Sequence, residues 1–157
     1  MKSLRILGIG LLAVIPFLTL KAQKPMTPQD LQDWKRITTR AISDDGQWAA
    51  AIFTPWKGDS EVQLLSADGK AVQTYTPASE VKFSSSYAIV KKVPADALMD
   101  ELKLKKTKKD KMPMDELIVR HLKSGTEWSI DSLKGYKLAE EGEWLAYQRT
   151  RKDSSLV

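Results

Sequence analysis

The residues best suited to chemistry in this chain are few: one histidine, two acid pairs, a serine triplet and a block of lysines. A serine nucleophile of the hydrolase type sits in Gly-x-Ser-x-Gly on a strand-to-helix turn, and that pentapeptide is absent. Ser84-Ser85-Ser86 falls in a predicted turn instead. A catalytic triad would have to use His121, which Arg120 and Leu122 place within a strand, where a structural histidine is the expectation. With no cysteine and a single histidine, disulfides, thiolate metal sites and histidine-rich metal sites are excluded.

The acid pairs Asp44-Asp45 and Glu140-Glu141 each precede a glycine. A calcium loop needs several oxygens at alternating positions and a closing acid, so both pairs read as turn residues. No glycine-rich loop precedes a helix, which leaves no cradle for phosphates. Lys103 to Lys111 holds six lysines and one aspartate without interleaved aromatics or arginines. Such a block cannot pack and reads as a solvated loop or hinge rather than a nucleic-acid surface. The sequence therefore assigns no catalytic, cofactor-binding or metal-ligating residue, and no nucleic-acid partner.

Residues 1–22 read as an export signal that is cleaved. Lys2 and Arg5 form a positive start, Ile6 to Leu20 is an apolar run broken by Pro16 and Thr19, and Ala22 is a small residue suited to the cut. The run is shorter than the roughly 20 residues that span a bilayer. No cysteine follows it for lipid attachment. Lys2, Arg5 and Lys21 supply three charges of the formal net +5, so the remainder is only weakly basic. The expected location is the periplasm or cell envelope, with membrane contact only through the signal.

Thr27-Pro28-Gln29-Asp30 is a helix start, and Leu31, Trp34 and Ile37 recur at helical spacing, predicting a short helix from about 28 to 36. From Ala41 the period becomes that of strands. Asp45-Gly46, Asp68-Gly69 and Ser124-Gly125 mark tight turns. Trp48 to Phe53 is apolar on both faces, which requires cover on both sides. Pro77 stops the strand that contains Val72 and Tyr75.

The pattern then repeats. Lys82 to Val90 matches the first turn and strand, with Tyr87 in the place of Trp48, and Glu116 to Leu122 matches the strand at Glu61 to Ser66. Leu138-Ala139-Glu140-Glu141-Gly142-Glu143-Trp144 matches Ile42-Ser43-Asp44-Asp45-Gly46-Gln47-Trp48 position by position. Trp48 and Tyr87 are 39 residues apart, and Tyr87 and Trp144 are 57 apart, the excess being an insertion at 94–115. A period near 40 with four strands per unit is that of a β-propeller blade, the alternative being a sandwich or a plain meander, in which hairpins also recur. The expected fold is all-β: a signal peptide, a lead-in segment at 23–40 with its short helix, and an incomplete propeller at 41–157 with about two complete blades and the start of a third. Such a partial ring leaves edges and apolar faces open, so the pattern reads as the N-terminal part of a longer protein or a truncated one.

Leu31 to Ile37, followed by Arg40 to Trp48, resembles the start of the propeller in exported S9-family serine peptidases, the prolyl oligopeptidase group. Lys105 to Leu117, a lysine-rich stretch ending in Met-Pro-Met-Asp-Glu-Leu, is similar to an insertion in a bacterial branch of that group. The resemblance implies a propeller that gates peptide access to an α/β-hydrolase domain with a Ser-Asp-His triad, a domain expected downstream and not in this chain. No catalytic residue carries over to any position here. What carries over is a role, with that hydrolase domain as partner and peptides as the parent's substrates. The alternative is a non-enzymatic envelope propeller that binds a protein partner, similar to TolB-type propellers.

Overall fold

The computed structural model describes residues 25–140 and 142–150. Residues 1–22, read as an export signal, lie outside them, as do Glu141 and Ser154 to Val157, whose pattern reads as the start of a further strand. The described chain is mostly β, arranged as two antiparallel sheets in which every strand pairs with its sequence neighbour.

Helix α1 (Pro28–Asp33) is closed at its start by a reciprocal cap. The Asp30 amide donates to Thr27 Oγ1 at 3.3 Å, and the Thr27 amide donates to Asp30 Oδ2 at 2.6 Å. The helix is shorter than the expected 28–36 span. Lys35 already belongs to β1 (Lys35–Ile42), which pairs with β2 (Trp48–Pro55) from Lys35↔Pro55 to Ile42↔Ala49. Two adjacent β-branched threonines at 38 and 39 and the ladder offered by β2 outweigh the helical spacing of Trp34 and Ile37. The first sheet is completed by β3 (Glu61–Ser66) and β4 (Ala71–Tyr75).

The second sheet begins just past Pro77 with β5 (Ala78–Phe83) and continues through β6 (Tyr87–Lys92), β7 (Asp115–His121), β8 (Glu127–Leu138) and β9 (Leu145–Arg149). The insertion at 94–115 falls between β6 and β7. It holds helix α2 (Asp96–Leu104) and a single 3-10 turn at Lys109–Lys111, neither with a buried residue. Lys91 Nζ bonds Asp115 Oδ2 at 2.8 Å where the insertion leaves and rejoins the sheet.

Thr126 to Ile130 reads in the sequence as a return strand and Leu138 as the opening of a further unit; the structure joins them in one continuous strand. No turn residue pair separates them. Ser132, at φ 56°, and a bulge between Leu133 and Gly135 bend β8 without breaking it. Its first half pairs with β7 and its second half with β9.

The two sheets stack face to face. Ala50, Ile52, Val62 and Leu64 of the first meet Val81, Ala88, Val90 and Ile118 of the second, with Trp48 and Phe83 at the margin. A second cluster lies on the far face of the second sheet: Ile89, Leu117, Val119, Ile130 and Leu133, overlaid by Tyr136, Leu138 and Leu145 as the sheet curls. The outer face of the first sheet, set by the pairings Ile37↔Phe53, Ile42↔Ala49 and Ala49↔Leu65, mixes these apolar residues with Arg40 and Gln63, which flank Ala51, and has no such cover among the described residues, with Ile42 70 % exposed.

Three hairpins stand at corresponding places in the chain, two of them with loops of the same length. The Ser43 amide donates to the Trp48 carbonyl at 2.9 Å, Ser84 to Tyr87 at 2.8 Å and Ala139 to Trp144 at 3.0 Å. The first and third occupy aligned positions of the sequence repeat, whereas the second closes a loop two residues shorter. In the first hairpin Gly46 takes φ 67° with nothing within 4 Å of a would-be Cβ. The cost of a side chain there is conformational alone. Gly46→Ala is expected to lower the unfolding free energy by about 1–2 kcal/mol, read from the midpoint of a urea titration followed by circular dichroism.

Candidate functional site

The residues weighed for chemistry are built into turns. Asp45 Oδ1 accepts from Ser43 Oγ at 2.6 Å and from the Gln47 amide at 3.0 Å. The Ser43 hydroxyl, then the Gln47 amide, hold the Asp45 carboxyl below the usual range. Asp44 and Glu140 are exposed. Asp68 repeats the Asp45 arrangement in the next turn, where it is lowered first by the Ser66 hydroxyl and then by Lys70.

Of the serine triplet, Ser84 is buried and its amide is held by the hairpin, while Ser85 is exposed. His121 is the last residue of β7, not its middle. Its Nδ1 accepts from the Ser124 amide at 3.1 Å, lies 3.0 Å from Ser124 Oγ, and its ring meets Tyr87 edge-on with centroids 5.2 Å apart. No local sequence signal announces the Ser124–His121 pairing. The Ser124 hydroxyl also contacts Thr126 Oγ1 at 2.9 Å, so the group closes the Ser124-Gly125 turn. The lysine block is exposed save for Thr107, and two of its cations are satisfied locally: Lys103 by Asp100 at 3.4 Å and Lys105 by Glu101 at 2.5 Å. Among the described residues no group of three His, Cys, Asp or Glu side chains is placed to hold a metal ion.

Among the described residues two concave surfaces stand out. The first is a cleft of about 510 Å³ on the far face of the second sheet, where β9 curls over β6 and β7. Tyr87, Trp128, Trp144 and Tyr147 line it, with Glu143 and Arg149 as its charged members. Trp128 stands over Tyr87 with ring centroids 5.5 Å apart. Trp144 is 81 % exposed and Tyr147 51 %. Arg149 is turned back onto Asp131, whose carboxylate and carbonyl it engages. Aromatic faces with few charges suit an apolar side chain or an extended segment of chain, not acid–base chemistry.

The second is an apolar groove of about 740 Å³ at the opposite end of the chain, lined by Leu31, Trp34, Lys35, Arg36, Pro55 and Trp56. The pairing Lys35↔Pro55 brings Trp34 and Trp56 to the same end of the β1–β2 ladder. Lys35 reaches across to Glu61 at 2.9 Å and holds that carboxyl below its usual range. No protein-family model, curated protein or solved structure matches the chain.

Proposed function

We propose that this chain is the opening, non-catalytic portion of an exported β-propeller that gates peptide access to a serine-peptidase domain of α/β-hydrolase type carried further along a longer protein. The observation that supports the reading is the recurrence of a six-residue hairpin at Ser43/Trp48 and Ala139/Trp144, with a shorter one at Ser84/Tyr87, on two stacked up-and-down sheets. Neighbouring propeller blades stack in this way, each covering the next. In a ring, the outer face of the first sheet and the aromatic cleft of the second would each meet another blade. The gating role and the peptidase partner come from the sequence resemblance at Leu31 to Trp48 and Lys105 to Leu117.

The cleft lined by Tyr87, Trp128 and Trp144 favours a second reading, a propeller that binds a protein partner without a hydrolase domain. The coding sequence beyond codon 157 separates the two. A Gly-x-Ser-x-Gly segment followed by an aspartate and a histidine supports the peptidase. A stop after the last blade supports the binding propeller. Cleavage of a proline-containing reporter peptide by this chain alone would overturn the non-catalytic assignment.

A further inference from the structure

Trp34 and Trp56 are 69 % and 89 % exposed, although they sit side by side at one end of the first sheet. Leu31 lines the same groove at 49 % exposure. A patch of this make-up in water is costly unless something covers it.

What reaches it is written in the chain. The apolar run Ile6 to Leu20 ends five residues before Pro25, where the described structure begins. Five residues span at most about 17 Å. Whenever that run is in a bilayer, the patch is therefore held near the membrane surface. The polar layer on each side of the hydrocarbon is about 5–8 Å deep. Tryptophan is the side chain that favours this layer, having a broad apolar ring and one N–H donor. The linking stretch carries Lys21 and Lys24, and Arg36 and Lys57 are exposed beside the tryptophans, cations suited to anionic headgroups. Asp59, in the loop after β2, and Glu61 of β3 are engaged by the Asp96 amide and by Lys35 respectively.

We propose that the Leu31–Trp34–Trp56 face is a membrane-contact surface that rests in the lipid headgroup layer while the leading apolar run is inserted. The inference depends on insertion of that run and not on the peptidase reading. The orientation follows: the β1–β2 end of the first sheet faces lipid.

The test uses the full chain on vesicles of phosphatidylcholine and phosphatidylglycerol with bromine-labelled acyl chains. All variants retain residues 1–24 and should float with the vesicles equally. Brominated lipid is expected to quench the wild-type tryptophan emission. The double variant W34F/W56F should lose that quenching roughly twofold or more. W144F, which removes an equally exposed tryptophan from the other cleft, should keep it. Circular dichroism of each variant confirms that the sheets are retained. Equal quenching of W34F/W56F and wild type would overturn the proposal, as would a chain that does not float. Aqueous acrylamide reaching Trp34 and Trp56 on vesicles as freely as Trp144 would also overturn it, and is the outcome expected if the groove takes a soluble protein.

Discussion

Replacing Leu64 by alanine is expected to lower the unfolding free energy by about 2–5 kcal/mol, while Ile42→Ala changes it by less than about 0.5 kcal/mol. Both residues lie in the first sheet, and both lose apolar carbon. They differ in the face they occupy. Leu64 is fully buried where the two sheets meet, in the same cluster as Val62, Val90 and Ile118. Its removal leaves a cavity that the stacked sheets cannot close without parting. Ile42 is on the outer face and 70 % exposed. Urea titrations of the two variants beside the parent chain, followed by far-ultraviolet circular dichroism, give both numbers. The pair also bears on the propeller proposal. Within a closed ring the outer face would be covered, and Ile42→Ala would then cost as much as a core substitution. A large loss for Ile42→Ala in the isolated chain would mean that this face is already covered, for example by a second copy.

The turns are the part of this fold most legible in the sequence. Asp45-Gly46, Asp68-Gly69 and Ser124-Gly125 each form the turn their chemistry requires, with glycine at positive φ. Between them, alternating apolar residues give strands with the expected faces, as Ala50, Ile52, Val62 and Leu64 demonstrate. Pattern reading fails where tertiary pairing decides. Trp34 and Ile37 keep helical spacing, yet Lys35–Ile42 is a strand because β2 lies alongside. The run from Ile130 to Leu138 contains no turn pair, and its continuity depends on a bend at Ser132 that no local signal announces. The two concave surfaces are hidden from the sequence for the same reason. Trp34 and Trp56 belong to separate elements, and only the β1–β2 register brings them together. Trp128 and Tyr87 meet because β6, β7 and β8 are consecutive in the sheet, although the lysine-rich insertion separates β6 from β7 in sequence.

Glu127→Ala is expected to lower stability by about 1–3 kcal/mol, and Tyr75→Phe by about 1 kcal/mol. Tyr75 ends the first sheet, whereas Arg120 and Glu127 belong to the second. The Tyr75 hydroxyl donates to Glu127 Oε1 at 2.6 Å, and the Arg120 guanidinium bonds the same oxygen. Arg120 is largely shielded by the sheets, its side chain 13 % exposed, so loss of the carboxylate leaves the cation without its counter-charge and the Tyr75 hydroxyl without its acceptor. Gly125 is part of this arrangement: a Cβ there would meet Arg120 Nη2 at 3.0 Å. Removing Tyr75 Oη deletes one donor and leaves the ion pair, hence the smaller loss. The pH dependence separates this cluster from ordinary packing. Burial, and then the Glu127 carboxylate, push the Tyr75 hydroxyl above the ordinary tyrosine range, while in the unfolded chain it ionises near pH 10. The folded state therefore holds its proton at pH values where the unfolded state has released it. Tyr75's contribution is whole below about pH 10 and is lost as pH rises above it. Tyr136, raised by burial and then by Glu80, adds to the same alkaline limb. Urea midpoints measured from neutral pH upward should fall on the alkaline side for the parent chain. In Tyr75→Phe the fall should be shallower, with Tyr136 supplying the remainder. An unchanged alkaline limb in that variant would show that the Tyr75 hydroxyl is not held between the sheets by Glu127.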